Sequence, residues 1–332
     1  MKNDSMINGG TSDIMYRKNK SDKIPKRKLR CCRMTVCVAM IVKDIYSQLP
    51  EIVFTADRQV TNDDVCFESG YSKIKLLHVH AYILASSEDA PKSDEIIIKT
   101  KQRLSEEKCT VREVVDILSE ECKLKYESEL EEQRKHVFAK YHTTVEEFKS
   151  NSKSKILSDE VKIDILNHLE MIERTYMDYF KADFLVVGID DAPHIYVVDQ
   201  FGKIKVLDYQ GFAATGSGDR LAYHEITRWA NFPQTEAQAI VTVYNAKKRS
   251  ERAPGVGGLT DLMILRKDPN GVYVHEIATG KLKEILDREI ENLWEYEREY
   301  FDRIARQDVQ NPARGEIFST HAAKFKEDSD TN

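Results

Sequence analysis

The chain has 332 residues, 41% of them apolar and 32% charged, with 14 Gly, 8 Pro and a formal net charge of −6. This composition excludes collagen-like, low-complexity and wholly disordered classes, and the length is ample for a large buried core. The longest apolar run, Met34 to Val42, is about half of the ~18–20 residues that a membrane span needs.

Charge is unevenly spread. Residues 1–33 hold ten Lys/Arg against three Asp, which leaves the remainder at −13. Such a basic head reads as a solvated tail, with nucleic acid or an anionic surface as the alternative contact; the acidic body speaks against a nucleic-acid-binding domain. The head has no apolar core segment and is therefore not a secretory signal peptide. The six cysteines are scattered and form no Cys-x-x-Cys pair, which reads as reduced thiols of a cytoplasmic protein. No His-Glu-x-x-His spacing occurs, and no metal or cofactor is implied.

In chain order, Met34–Val42 is β-branched and apolar, hence a buried strand, and Ile52–Arg58 pairs with it as a hairpin with a long loop. Val65–Glu68, Ser72–Leu77 and Ala81–Ser86 read as further strands of an antiparallel sheet. Helical periodicity follows at Asp94–Leu104, Thr110–Val137 (with Thr110 and Glu113 as a capping box), Thr144–Ser150 and Ser158–Phe180. Strands resume at Asp183–Ile189, His194–Val198, Lys203–Leu207 and Tyr209–Thr215, then helices at Gly218–Ala230 and Glu236–Glu251. A hairpin over Asp261–Arg266 and Val272–Glu276, turning at Asn270-Gly271, precedes a long charged helix at Gly280–Arg306. On that helix Leu282, Ile285, Leu286, Ile290, Leu293 and Tyr296 form a packing stripe with Trp294 at its edge, which is also a candidate subunit contact. Two strand blocks, each followed by helices, predict an α+β fold of two stacked antiparallel sheets with helices outside. One domain is expected over 34–306, with a helical insertion at about 91–182, a C-terminal helix at 280–306 and a polar tail at 307–332.

Four places carry candidate chemistry: Thr35 at the head of a buried strand, Asp57 closing the second strand, Lys73 just inside a strand, and Ser217 flanked by Gly216 and Gly218 where a strand turns into a helix. Taken singly, each has an ordinary reading: a β-former, a solvated turn residue, a snorkelling lysine and an N-cap with turn glycines. Cys37 reads as a small core residue with a rival nucleophile as the alternative, and His224 and Glu225 as helix residues facing solvent or a neighbour.

Together the four resemble the proteasome β-type branch of the N-terminal nucleophile (Ntn) hydrolases, over roughly residues 34–278. In that family a Thr opens the first strand of the mature chain, an Ala-Asp-Arg-like motif closes the second (here Ala56-Asp57-Arg58), and a Lys follows sixteen positions later, as Lys73 does. A Gly-Ser-Gly opens the first helix after the second sheet, as Gly216-Ser217-Gly218 does. The chain is most similar to the bacterial 20S-proteasome-subunit-like group beginning Met-Thr-Val-Cys, including Ala246-Lys247-Lys248-Arg249 and Ala253-Pro254-Gly255-Val256-Gly257. The resemblance implies a four-layer α-β-β-α sandwich with an enlarged helical insertion. It also implies a threonine hydrolase of amide bonds, with peptide as the leading substrate, in a homo-oligomeric ring; no nucleic acid or membrane partner is implied, and an ATPase partner stays open. Thr35 would be the nucleophile with its own amine as base, Lys73 and Asp57 would tune it, Ser217 would support it, and the backbone N–H of Ser87 would be the oxyanion donor.

A Thr hydroxyl needs a nearby base, and an α-amine titrates near 7.7–8.0 against about 10.4 for Lys. That chemistry needs a free amine on Thr35, so Met34 is expected to be the true start, removed because Thr is small, with residues 1–33 an extension. The chain departs from the family pattern in two places: Ser86-Ser87 replace glycines, and Ala253 and Val256 stand where an Asp and a Ser steady the amine. Asp261 or Thr260 are the candidate substitutes. The rival readings are an inert ring or scaffold subunit of the same fold, and an adaptor acting through the basic head.

Overall fold

The computed structural model describes residues 35–42, 49–62, 65–68, 70–87, 89–104, 109–150, 157–179, 181–230, 234–271, 273–277 and 280–306. The expected head at 1–33, Met34 and the tail at 307–332 lie outside these residues. The described residues fall within one compact unit, Cys31–Asn332.

Strands β1 (Cys37–Ile41) and β2 (Glu51–Asp57) form the expected hairpin, with Cys37 opposite Ala56 and Ile41 opposite Ile52. Strands β3 (Gln59–Asn62) and β4 (Val65–Glu68) stand apart as a two-stranded ribbon, and β5 (Ile74–His78) and β6 (Ala81–Ser87) begin a different sheet. The first strand block is therefore not one sheet. Helices α1 (Ala90–Arg103), α2 (Val111–Lys140), α3 (Val145–Ser150) and α4 (Asp159–Tyr179) follow. Helix α1 starts four residues before the expected Asp94, because the Asp89 side chain caps the Lys92 N–H and Pro91 is tolerated in a first helical turn. The expected capping box of α2 is present: Thr110 and Glu113 satisfy each other's backbone N–H.

Strands β7 (Ala182–Ile189), β8 (Pro193–Asp199), β9 (Ile204–Val206) and β10 (Phe212–Thr215) lead to α5 (Asp219–Thr227) and α6 (Glu236–Ser250). The hairpin β11 (Thr260–Lys267) and β12 (Tyr273–Ile277) and the long helix α7 (Gly280–Ile304) close the order. One sheet runs β10-β1-β2-β11-β12 and the other β5-β6-β7-β8-β9, all antiparallel.

Alternation along β1 builds the layers. Val36, Val38 and Met40 face the α5–α6 side, with Val243 and Tyr244; Cys37, Ala39 and Ile41 face the second sheet, with Leu84 and Leu185. The outer face of the second sheet, including Ile83, Phe184 and Val186, is covered by α1 and the first half of α2. The result is an α-β-β-α sandwich in which central strands are buried on both faces and read as near-continuous apolar runs. At ~45 Å, α2 outruns the sheet. Its far end, with α3 and α4, forms a small core of its own around Val137, Phe138 and Ile165. Helix α7 buries Leu286 and Ile290 of its stripe. Glu225, expected near the surface, is buried, because it accepts from Asn245 of α6 at 2.7 Å.

Helix α2 is docked at two points. Gly202, at φ 74° in the β8–β9 turn, lies so close that a Cβ would fall 2.3 Å from the Ser119 carbonyl oxygen. Asp190 accepts from the Val111 N–H at 3.0 Å and also meets His194 Nε2 at 2.8 Å, while Asp208 meets His194 Nδ1 at 2.7 Å. Burial disfavours a charged His194, but the bonds to Asp208 and Asp190 prevail and raise its pKa above the ordinary value. A raised pKa contributes stability that is complete below the unfolded value, about 6.5, and is lost as pH rises through the folded value. The unfolding midpoint is expected to fall as pH rises above about 6.5, and His194→Asn to flatten that slope; the check is thermal unfolding of both proteins across pH.

Candidate active site

The β1–β2 hairpin sets the first two groups opposite each other. Thr35 lies two residues before the ladder begins at Cys37, and Asp57 ends β2 one residue beyond the last pair at Ala56, so the Asp57 carboxylate turns back onto the start of β1. Asp57 Oδ1 accepts from Thr35 Oγ1 at 2.7 Å, from the Val36 N–H at 2.9 Å and from Lys73 Nζ at 2.8 Å. Its Oδ2 accepts from the backbone N–H groups of Gln59 at 3.1 Å and Gly257 at 3.2 Å. Lys73 comes from the entry to β5, on the other sheet, and its ammonium also donates to Thr35 Oγ1. Thr35 and Lys73 are 7% exposed and Asp57 is 0% exposed. An ion pair at this depth needs close hydrogen bonding to offset its desolvation, and here Asp57 accepts five hydrogen bonds while Lys73 Nζ donates two.

Ser217 reaches the same threonine from the opposite side. Strand β10 ends at Thr215 beside Cys37, and the chain then turns through Gly216 at φ 93°. A Cβ on Gly216 would lie 2.3 Å from the Thr35 carbonyl oxygen, so only glycine allows this approach. The turn delivers the Ser217 hydroxyl, which accepts from the Thr35 N–H at 3.2 Å, and the Gly218 N–H, which donates to the Thr35 carbonyl at 3.3 Å. Ser217 itself is exposed. The structure thus brings together Thr35, Asp57, Lys73 and Ser217 from three separated segments. Ser87 ends β6 and its hydroxyl closes a turn with Asp89, at 2.9 Å; among the described residues it shares no hydrogen bond with the other four.

The two candidate substitutes for the missing polar supports are engaged elsewhere. Asp261 accepts from Arg58 Nε at 2.7 Å, and Thr260 Oγ1 donates to the Gly258 carbonyl at 3.2 Å. Val256, where the resemblance implies a serine, is buried in the core with Val36. Cys37 points into the core between the sheets, and burial pushes its thiol up to about 12, so it is not a thiolate at ordinary pH.

Two participants were not legible as site residues. One is the Gly257 backbone N–H on Asp57. The other is Lys247 of α6, fully buried, which donates to the Gly257 carbonyl at 2.8 Å. Its signal was positional: Ala239, Val243 and Lys247 fall at i, i+4 and i+8, so this lysine lies on the apolar face of its helix. Among the described residues no group of three His, Cys, Asp or Glu side chains is placed to hold a metal ion, and no helix is long and apolar enough to cross a membrane.

A family model described as proteasome subunit matches residues 137–253. The match runs from the last turn of α2 through β7–β10, α5 and α6, which is less than half of the chain. It includes Ser217 and excludes Thr35, Asp57 and Lys73. No curated protein matches the chain.

Removing one partner of the buried pair leaves an uncompensated charge. Lys73→Met is expected to lower stability by ~3–5 kcal/mol, and addition of Asp57→Asn to restore part of it; urea unfolding of the single and double variants measures both. Gly216→Ala is expected to displace Thr35 and to cost ~2 kcal/mol or more from the combined φ strain and clash, read by the same unfolding experiment.

Proposed function

We propose that this protein is a proteasome-like N-terminal threonine hydrolase that cleaves amide bonds, with peptides as substrates. The observation that carries the reading is the buried Thr35 hydroxyl, bonded at once to Lys73 and to Asp57, with its own backbone nitrogen on Ser217. The partial match to the proteasome subunit family supports the same reading from a different part of the chain.

In the active form the chain begins at Thr35, because an acylated nitrogen is no base. The free α-amine then lies beside Ser217 and takes the hydroxyl proton, directly or through one water. The Lys73 ammonium favours the alkoxide and the neutral amine, and Asp57 holds Lys73 in place. Thr35 Oγ1 attacks the scissile carbonyl, and the backbone N–H of Ser87 is the proposed donor to the oxyanion. The amine returns the proton to the leaving group, and water then releases the acyl group from Thr35. The protein acts in the cytoplasm as a homo-oligomeric ring, and residues 1–33 are absent from its active form.

A second reading is favoured by Ala253 and Val256: with an apolar pair in place of two polar supports, the same fold would serve as an inert ring subunit. Intact mass and N-terminal sequencing of protein from its own cells, with turnover of fluorogenic peptide amides by Thr35→Ala, separate the two. A mature Thr35 terminus and a loss of roughly 10³-fold or more in the variant are expected. Equal turnover by both proteins would favour the inert subunit.

A further inference from the structure

We propose that Lys247 is a positioning residue of the Thr35 site: it anchors the Gly255–Gly258 loop so that the Gly257 N–H is held on Asp57. The proposal deepens the reading above and rests on it for its effect on turnover.

A lysine with no exposed surface requires a reason, since an apolar side chain in line with Ala239 and Val243 would fill the same face of α6 without desolvating a charge. The contacts supply it. Nζ donates to Glu251 Oε1 at 2.6 Å, to the Gly257 carbonyl at 2.8 Å and to the Gly258 carbonyl at 3.1 Å, which matches three acceptors to the three protons of an ammonium. Two of those acceptors are consecutive carbonyls of one glycine-rich loop, so the lysine fixes the orientation of that backbone. The loop presents the Gly257 N–H to Asp57 Oδ2 at 3.2 Å.

The opposite side of the loop is equally constrained. The Leu259 N–H donates to Glu68 at 2.8 Å, and a Cβ on Gly257 would meet Gln59 Cβ at 2.8 Å and Glu68 Oε1 at 3.0 Å. The loop therefore has one position, set between Lys247 within and Gln59 and Glu68 without. This backbone arrangement lies in the segment where Ala253 and Val256 replace polar side chains, and it supplies Asp57 with a donor that no side chain there can provide. The charged groups that act on Lys247 are Glu251 and Lys248 of its own helix and Asp57 of β2; burial draws its pKa down and the two carboxylates oppose this.

The test uses the full chain as purified. Hydrogen exchange by mass spectrometry reads the loop independently of activity. Lys247→Met is expected to lose protection across residues 255–259 by roughly tenfold or more while β1 and β2 keep theirs. With fluorogenic peptide amides, kcat is expected to fall roughly tenfold with KM nearly unchanged. Gly257→Ala, which leaves Lys247 intact and crowds Gln59, is expected to give the same loss of loop protection and of kcat and carries the test if Lys247→Met does not fold. Unchanged loop protection in a folded variant overturns the proposal, as does a rise in KM with kcat unchanged. Equal turnover by wild type and Thr35→Ala would instead remove the threonine-hydrolase reading, while the exchange data still decide what holds the loop.

Discussion

The Asp57 carboxylate has no exposed surface, and the rest of the site is arranged around the need to satisfy it. Five donors converge on its two oxygens: the Thr35 hydroxyl, the Lys73 ammonium and the backbone N–H groups of Val36, Gln59 and Gly257. These come from the start of β1, the entry to β5, the residues just beyond β2 and the loop after α6. Moving any of these segments strips a donor from a charge that water cannot reach, so the carboxylate ties the two sheets and the α5–α6 layer into one geometry. The nucleophile candidate is held by the same bonds, which is why positioning and stability are inseparable at this corner of the fold.

Three of the five donors are backbone amides. A side-chain support depends on the residue that supplies it, whereas an amide donor depends only on where the chain runs. Val256 in the core beside Val36 and the glycines that follow it keep the chain close to Asp57 without any polar side chain from that loop.

Element types were legible because periodicity is a local property: nearly every strand and helix was expected within a few residues of its place. Sheet membership was not. The five early strand segments read as one sheet, yet β2 pairs with β11 two hundred residues later, opposing Asp57 to Thr260, and no local pattern names a partner at that distance. The helix expected from Asp94 starts four residues earlier, at Ala90, because periodicity does not mark the Asp89 cap. At the site, Thr35, Asp57, Lys73 and Ser217 each had an ordinary reading taken singly, and only the resemblance to the proteasome β-type pattern singled them out as a set. Lys247 was hidden in Lys247-Lys248-Arg249, which resembles a solvated run, although only the first of the three lies in line with Val243. The Gly257 N–H was hidden for a more basic reason: a sequence carries no mark of where an amide points.

The far end of α2, with α3 and α4, stands on a cluster in which, among the described residues, three apolar side chains are buried, separate from the layers of the sandwich. A unit with so small a core opens with a far lower free energy than the sheets, and its opening leaves every bond to Asp57 untouched. Length and sequence can therefore drift there under little constraint from the chemistry. In any assembly of this chain, that projection is the part free to adapt to a neighbour while the buried corner stays fixed.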